Sequence, residues 1–245
     1  MVRRNTLLTH YLFPSMNQFF HNMKYFFSPE NVSFQAEDAF KNRQQIADEL
    51  SIDIQRMVFP HQVHSANVCC IGEESAGCGV MDDDTSVHES DGLLTDVKGL
   101  CLVIQTADCI PVLLSDEVAG VVGAIHAGWR GTVAGVVRRA IEIMIKRYHC
   151  KPENIHAITG PGIGPCCFET SEDIANQIGR EFVRNYSNEG RPMVNLPLAN
   201  VSQMLAMGLK HANIVVSGIC TCCDPIWPSY RRDKTNRRLA SAIML

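Results

Sequence analysis

Short apolar runs separated by polar or glycine-containing breaks dominate the chain from residue 57 onward. The runs at 57–59, 67–71, 92–94, 100–105, 111–114, 118–125, 155–159 and 214–217 have strand length. Several are apolar at consecutive rather than alternating positions, so both faces of those strands are expected to be covered. Helical spacing appears between them. Residues 132–148 carry Val133, Val136, Val137, Ile141, Met144 and Ile145, with Thr132 as the expected N-cap. A second helix is predicted from Thr170 towards Val183, with Thr170 and Asp173 spaced as a capping box. A third is predicted from Asn200 and includes Val201, Met204, Leu205 and Leu209. Residues 1–56 read differently. Positions 17–27 are aromatic and polar without a clean period, whereas 37–50 place Phe40, Ile46, Ala47 and Leu50 near one face of a helix. The segment 72–89, with Asp82-Asp83-Asp84, is expected to be an exposed loop. Strands interleaved with helices imply an α/β fold: a single layered domain over residues 1–245, with a mixed sheet and flanking helices. No repeat, low-complexity tract or linker divides it.

Composition narrows the classes. Apolar residues make up 46% and charged residues 20% of the 245, which supports a folded core. The net charge of −4 argues against a nucleic-acid partner. No apolar run reaches the roughly 18–20 residues that span a bilayer, so no membrane partner is expected. The first eight residues have the charge of a signal peptide but not its apolar core, and the expected location is cytoplasmic. Eleven cysteines include the adjacent pairs Cys69-Cys70, Cys166-Cys167 and Cys222-Cys223. Without an export signal a disulfide framework is not expected, and most of these thiols are expected to be small buried hydrophobes.

Two segments concentrate the chemistry: Thr106-Ala107-Asp108-Cys109-Ile110-Pro111 and His126-Ala127-Gly128-Trp129-Arg130-Gly131. Each puts a metal-ligating side chain at the end of an apolar run, and His64 lies upstream in His61-Gln62-Val63-His64. Two imidazoles and one thiolate leave a fourth position open, as at a catalytic zinc. Taken singly, a histidine beside a strand is usually a hydrogen-bonded structural residue and a buried cysteine is usually inert. Their common place at strand ends, where α/β sheets bind ligands, favours the ligand reading. On a strand, the odd spacing would put His61 and His64 on opposite faces, so they should not share one metal. Asp108 is either an outer-shell group that orients a ligand or a turn-forming aspartate.

Other motifs suggest a cavity around that centre. Arg130 near a helix start suits an anion, and Trp129 suits an aromatic ring; their bland alternatives are a surface ion pair and a core anchor. The stretch Gly160-Pro161-Gly162-Ile163-Gly164-Pro165-Cys166-Cys167 follows a strand but matches neither GxGxxG nor a P-loop, and reads as a rigid wall. Cys166 and Cys167 are weaker ligand candidates than Cys109. In Tyr230-Arg231-Arg232-Asp233, Arg231 or Arg232 would meet a phosphate or ribose, unless the cluster with Arg237-Arg238 is a solvated face. Cys220-Thr221-Cys222-Cys223 lacks a second spaced pair and is discounted as a zinc site.

Together these segments resemble the laccase-domain family, also called multicopper polyphenol oxidases and associated with purine nucleoside phosphorylase activity. The matching stretches are Gln62-Val63-His64, Asp91-Gly92-Leu93-Leu94-Thr95, the two segments around Cys109 and His126, 160–169, and Tyr230-Arg231-Arg232-Asp233. The resemblance implies zinc held by His64, Cys109 and His126, and catalysis involving Cys109, His126 and Arg130. It implies a purine nucleoside and phosphate as partners, with Gln62, Trp129, Arg231 and Arg232 binding substrate. The implied reactions are phosphorolysis of adenosine, inosine, guanosine and methylthioadenosine, together with adenosine deamination. For deamination, zinc would lower the pKa of a water that attacks the purine. Two rivals remain. A copper polyphenol oxidase would use the same His₂Cys set with copper, although no His-x-His pair occurs here. A cysteine hydrolase would use Cys109 as nucleophile and His126 as base.

Overall fold

Along Cys101–Ile104, successive side chains enter different cores. Cys101 and Val103 join a cluster with Ile46, Ala47 and Leu50. Leu102 and Ile104 join another with Leu93, Leu113, Val122 and Ile158. A strand used in this way needs apolar residues on both faces, which is why the run is continuous rather than alternating.

The computed structural model describes residues 23–29, 32 and 38–245. In chain order the elements are β1 (Lys24–Ser28), α1 (Ala39–Leu50), β2 (Met57–Val58), β3 (Val68–Cys70), β4 (Gly92–Thr95), β5 (Cys101–Thr106), β6 (Ile110–Asp116), β7 (Val121–Ala127), α2 (Trp129–Ala134), α3 (Val136–Tyr148), β8 (His156–Thr159), α4 (Glu172–Ile178), β9 (Val183–Tyr186), β10 (Pro192–Val194), α5 (Leu196–Ala206), β11 (Ile214–Val216), α6 (Tyr230–Asp233) and β12 (Leu239–Met244). A six-stranded mixed sheet has the order β11-β8-β6-β7-β4-β3, and a four-stranded sheet has the order β1-β12-β5-β2. A short β9-β10 ribbon stands apart from both.

The two large sheets pack face to face across the cluster that holds Leu102, Ile104, Leu113, Val122 and Ile243. The outer face of the six-stranded sheet is covered by α3 and α5, through Val137, Ile141, Met144, Leu196 and Met204. The outer face of the four-stranded sheet is covered by α1. The layers therefore run helix, sheet, sheet, helices. The expected mixed sheet and flanking helices are present, and the second face of the main sheet is closed by another sheet.

Local departures from the sequence reading have local causes. The helix expected over 132–148 starts earlier, capped at Gly128, and breaks at Gly135, whose φ of +80° is in the left-handed region. Thr132 is not the cap; it lies inside α2 and meets the Asn200 amide at 3.1 Å. The cap of α4 is Ser171, which accepts from the Ile174 N–H, in place of Thr170, and the helix stops at Gly179 well before Val183. Helix α5 begins at Leu196, ahead of the expected Asn200, with Asn195 capping the Leu198 N–H at 3.0 Å. A proline in its first turn is tolerated because no intrahelical donor is lost there. Residues 1–22 and Glu37 lie outside the described residues, so the reading of the first eight positions is not addressed. Positions 24–27, expected to lack a period, belong to β1. The 72–89 loop is not wholly exposed, since Val80 inserts beneath α1.

On α1, Phe40 faces solvent and Arg43 takes the inward position. Its guanidinium donates to the carbonyls of Val32 at 2.7 Å and Val80 at 2.7 Å, and lies over the Phe59 ring. Burial draws its pKa down to about 10. Arg43→Ala leaves these buried carbonyls without their donor, at about 1–3 kcal/mol for an unsatisfied group. Urea unfolding should show a loss of about 2 kcal/mol or more in stability, with metal content of the folded protein unchanged.

Candidate metal centre and adjoining cavity

Strand register sets up the centre. In the β6–β7 pair, Ile110 faces Ala127 and Pro111 faces His126. Continuing that register one step puts Cys109 opposite Gly128. A Cβ on Gly128 would lie 3.0 Å from Cys109 Sγ and 3.0 Å from His64 Cδ2, so a side chain there would press into the space the ligands share. In the β4–β7 pair, Gly92 faces Ile125, and the His126 N–H donates to the Asp91 carbonyl at 2.7 Å. Asp91 is thereby placed directly beside His126.

Asp91 is fully buried and organises both histidines. His126 Nδ1 meets its Oδ1 at 2.8 Å. The backbone N–H groups of Val63, His64 and Ser65 and the Ser65 hydroxyl donate to the same carboxylate. With Nδ1 taken by Asp91, Nε2 of His126 is left to act as a ligand, the usual division at a metal-binding imidazole. His64 lies in a loop rather than a strand, with φ of +61°, so the opposite-face argument for His61 does not apply. His61 instead faces Asp83 at 3.2 Å and is not among the grouped ligand atoms.

The ligating atoms of His64, Cys109 and His126 all lie within 4.8 Å of one another, and the two imidazoles meet edge to face with centroids 4.7 Å apart. The donor set and the room left by Gly128 fit a divalent ion of the zinc or copper class with an open coordination position. Electrostatics agree. Burial alone would raise the Cys109 thiol, but His126 and His64 outweigh it and bring its pKa down to about 6. Burial alone would lower His126, but Cys109 and Asp91 outweigh it and push it up to about 9. Burial also works against an ionised Asp91, yet the His126 and Ser65 hydrogen bonds hold its carboxyl below the usual range.

The three ligands open into a cavity of about 600 Å³, walled by Gln62, Trp129, Ile163, Phe168, Tyr230, Arg231 and Arg238 among others. Of the expected substrate residues, Gln62, Trp129 and Arg231 line it and Arg232 does not; Arg130, expected to take part in catalysis, is not in the lining either. The Gln62 amide pairs at both ends with the Gln105 backbone, at 2.8 Å each, and so fixes its loop to β5. Arg130 stacks on the Trp129 ring at 4.4 Å. Arg232 donates to the carbonyls of Thr221, Cys222, Asp224 and Trp227, a scaffold role. Asp108 is the turn-forming aspartate of the bend between β5 and β6, with φ of +82°, and its carboxylate ties that bend to other loops by accepting from the Thr221 hydroxyl at 2.7 Å and from the Arg231 backbone N–H at 2.6 Å. Phe168, Tyr230 and Arg238 are cavity residues that the sequence reading had not assigned. In the sequence Asp91 stands only within the motif Asp91-Gly92-Leu93-Leu94-Thr95, where a charge just ahead of an apolar run is easily read as a turn.

Residues 25–245 match the family model described as multi-copper polyphenol oxidoreductase laccase. Among curated relatives, the purine nucleoside phosphorylase YlmD of Geobacillus stearothermophilus is 34% identical over 212 residues, covering 83% of this chain and 77% of the relative. The adenosine deaminase RL5, from an unknown prokaryotic organism, is 32% identical over 186 residues, covering 73% and 70%. Among solved structures, the hypothetical protein YfiH of Bacillus licheniformis superposes with a TM-score of 0.90 at 27% identity, covering 100% of this chain and 98% of that one.

Two outcomes check this geometry. Asp91→Asn removes the charge that orients His126, and equilibrium dialysis against zinc should show affinity lower by about 10–100-fold with unchanged circular dichroism. In metal-free protein, the lowered Cys109 pKa means the thiolate persists down to about pH 6. Iodoacetamide labelling of Cys109, read by peptide mass spectrometry, should therefore be half-maximal near pH 6, well below the ordinary thiol value of 9.0. Cys101, pushed up to about 12 by burial, should stay unlabelled.

Proposed function

The chain belongs to the laccase-like multi-copper polyphenol oxidoreductase family, and on that premise we propose that it is a purine nucleoside phosphorylase that also deaminates adenosine. The reading extends to methylthioadenosine and takes zinc as the ion held by His64, Cys109 and His126. The observation that carries it is the opening of this three-ligand group into a cavity of about 600 Å³, the size of a nucleoside-scale pocket, that also holds aromatic faces and Arg231.

Each reactant has a matching wall. Phe168, Trp129 and Tyr230 offer aromatic surface for a purine. Arg231 and Arg238 offer guanidinium groups for phosphate. Phosphate is assigned to these two because they line the cavity, whereas Arg232 is spent on backbone carbonyls and Arg130 stacks on Trp129. One Arg231 donor is held by the Cys167 carbonyl at 3.0 Å, which fixes the guanidinium in direction. In phosphorolysis a phosphate oxygen bonds to the ribose carbon while the glycosidic bond breaks and the purine leaves with a proton. In deamination water adds at the purine carbon bearing the amine and ammonia leaves. When bound, zinc supplies Lewis acidity at neutral pH for such steps. Cys109 and His126 serve as ligands, and Asp91 keeps His126 in the tautomer that ligation requires.

One arrangement favours a second reading. Cys109, His126 and Asp91 form a thiolate–imidazolium pair with an orienting carboxylate, as a cysteine hydrolase would. The metal decides between them, because a hydrolase works without one. Copper in place of zinc would instead favour oxidase chemistry.

Adenosine incubated with zinc-loaded protein, with and without phosphate, and resolved by chromatography should give phosphate-dependent adenine and phosphate-independent inosine. Both products should vanish in Cys109→Ala and after chelation. Neither product from the loaded wild type would overturn the reading, and turnover that survives complete chelation would replace it with the hydrolase.

A further inference from the structure

A second cysteine cluster lies outside the site described above. The sulfurs of Cys166, Cys167, Cys220 and Cys223 all lie within 4.8 Å of one another. Cys223 Sγ is 3.5 Å from Cys166 Sγ and 3.3 Å from Cys167 Sγ. These are far from the roughly 2.0 Å of a disulfide, and all four thiols are free. Zinc–sulfur bonds of about 2.3 Å in a tetrahedron set sulfurs roughly 3.8 Å apart, close to the spacing found here.

The backbone is built around the cluster. Cys220 and Cys223 form a C-x₂-C turn in which the N–H groups of Cys223 and Asp224 return to the Cys220 carbonyl at 3.1 and 3.0 Å. The Gly164 N–H points at Cys220 Sγ at 3.2 Å, joined by those of Cys222 and Cys223. A Cβ on Gly164 would sit 3.2 Å from Cys220 Cβ and 3.3 Å from Cys166 Sγ, tighter than ordinary contact. A bridge between Gly162 and Cys220 ties the two loops together. Arg232 holds the carbonyls of Thr221, Cys222 and Asp224, and Arg231 holds that of Cys167.

We propose that Cys166, Cys167, Cys220 and Cys223 form a closed four-thiolate site for a structural zinc ion that clamps the 160–169 loop to the 218–224 loop. Four thiolates and no open position make it a structural rather than a catalytic site. The sequence hid it because the second pair is adjacent, Cys166-Cys167, rather than spaced. The clamped loop carries Ile163 and Phe168, both in the cavity wall. Zinc in this site thus braces the wall without joining the chemistry.

Elemental analysis of full-length protein, reduced, stripped and reloaded with Zn²⁺, tests the assignment. Wild type should bind two ions per chain. Cys109→Ala and the double variant Cys220→Ser/Cys223→Ser should each bind one, and their combination none. A single ion in wild type, lost in Cys109→Ala and kept in the double variant, overturns the proposal. So does a second ion that survives the double variant, or a cluster that forms disulfides and takes up no zinc after reduction. If the double variant does not fold, Co²⁺ bound to Cys109→Ala protein provides the readout. Adding Cys166→Ser should weaken the thiolate-to-cobalt absorption by one sulfur's share, and an unchanged spectrum overturns the proposal.

Discussion

A carboxylate buried with no solvent access is costly unless its lone pairs are filled, and the candidate centre is arranged around one such group. Asp91 precedes β4, and β4 pairs antiparallel with β7, so the topology delivers it beside His126. The remaining capacity of the carboxylate is filled by backbone N–H groups of residues 63–65 and the Ser65 hydroxyl. One buried charge therefore fixes the orientation of one histidine and the path of the loop that carries the other. Cys109 needs no such help, because the β6–β7 register already places it against Gly128. The centre is a consequence of strand pairing plus a single satisfied charge.

The layered arrangement explains what could be read from the chain. Strands buried on both faces leave continuous apolar runs, and β4 to β8 were visible for that reason. Strand β12 was not, because its Leu-Ala-Ser-Ala-Ile-Met sequence lacks the β-branched density that marks a strand. It forms by pairing with β1 on one side and β5 on the other, a tertiary effect. Helix boundaries slipped where one residue overrode periodicity, as with the left-handed Gly135 between α2 and α3. On α1 the hydrophobic face was misplaced because an arginine with three carbonyl partners outcompeted a phenylalanine for the interior.

The candidate ligands were more legible than their supports. Cys109 and His126 sit at the ends of apolar runs, so residue type and position signalled them together, whereas His64 lies in a loop and is signalled by residue type alone. Asp91 carries a common turn residue's identity, and only the fold reveals that it faces inward. The basic motif was half legible. Its two neighbouring arginines point to different tasks, because α6 is a single short turn, and only Arg231 lines the cavity. Arg232 is spent on the carbonyls of Thr221, Cys222, Asp224 and Trp227, which sequence alone could not assign.

The two cysteine-containing clusters separate by charge. A divalent ion on two neutral imidazoles and one thiolate would keep a net positive charge and an open position, suited to an anion or a water. The same ion on four thiolates carries net negative charge and has no vacancy, so it can only hold chains together. The thiolate-poor set opens into the cavity and the four-cysteine set lies behind its wall. Arg231 spans the gap: its backbone is anchored on Asp108, next to Cys109, and its guanidinium on the Cys167 carbonyl. Whatever stiffens the second cluster therefore steadies the arginine that faces the first, and the wall and the chemistry share one mechanical link.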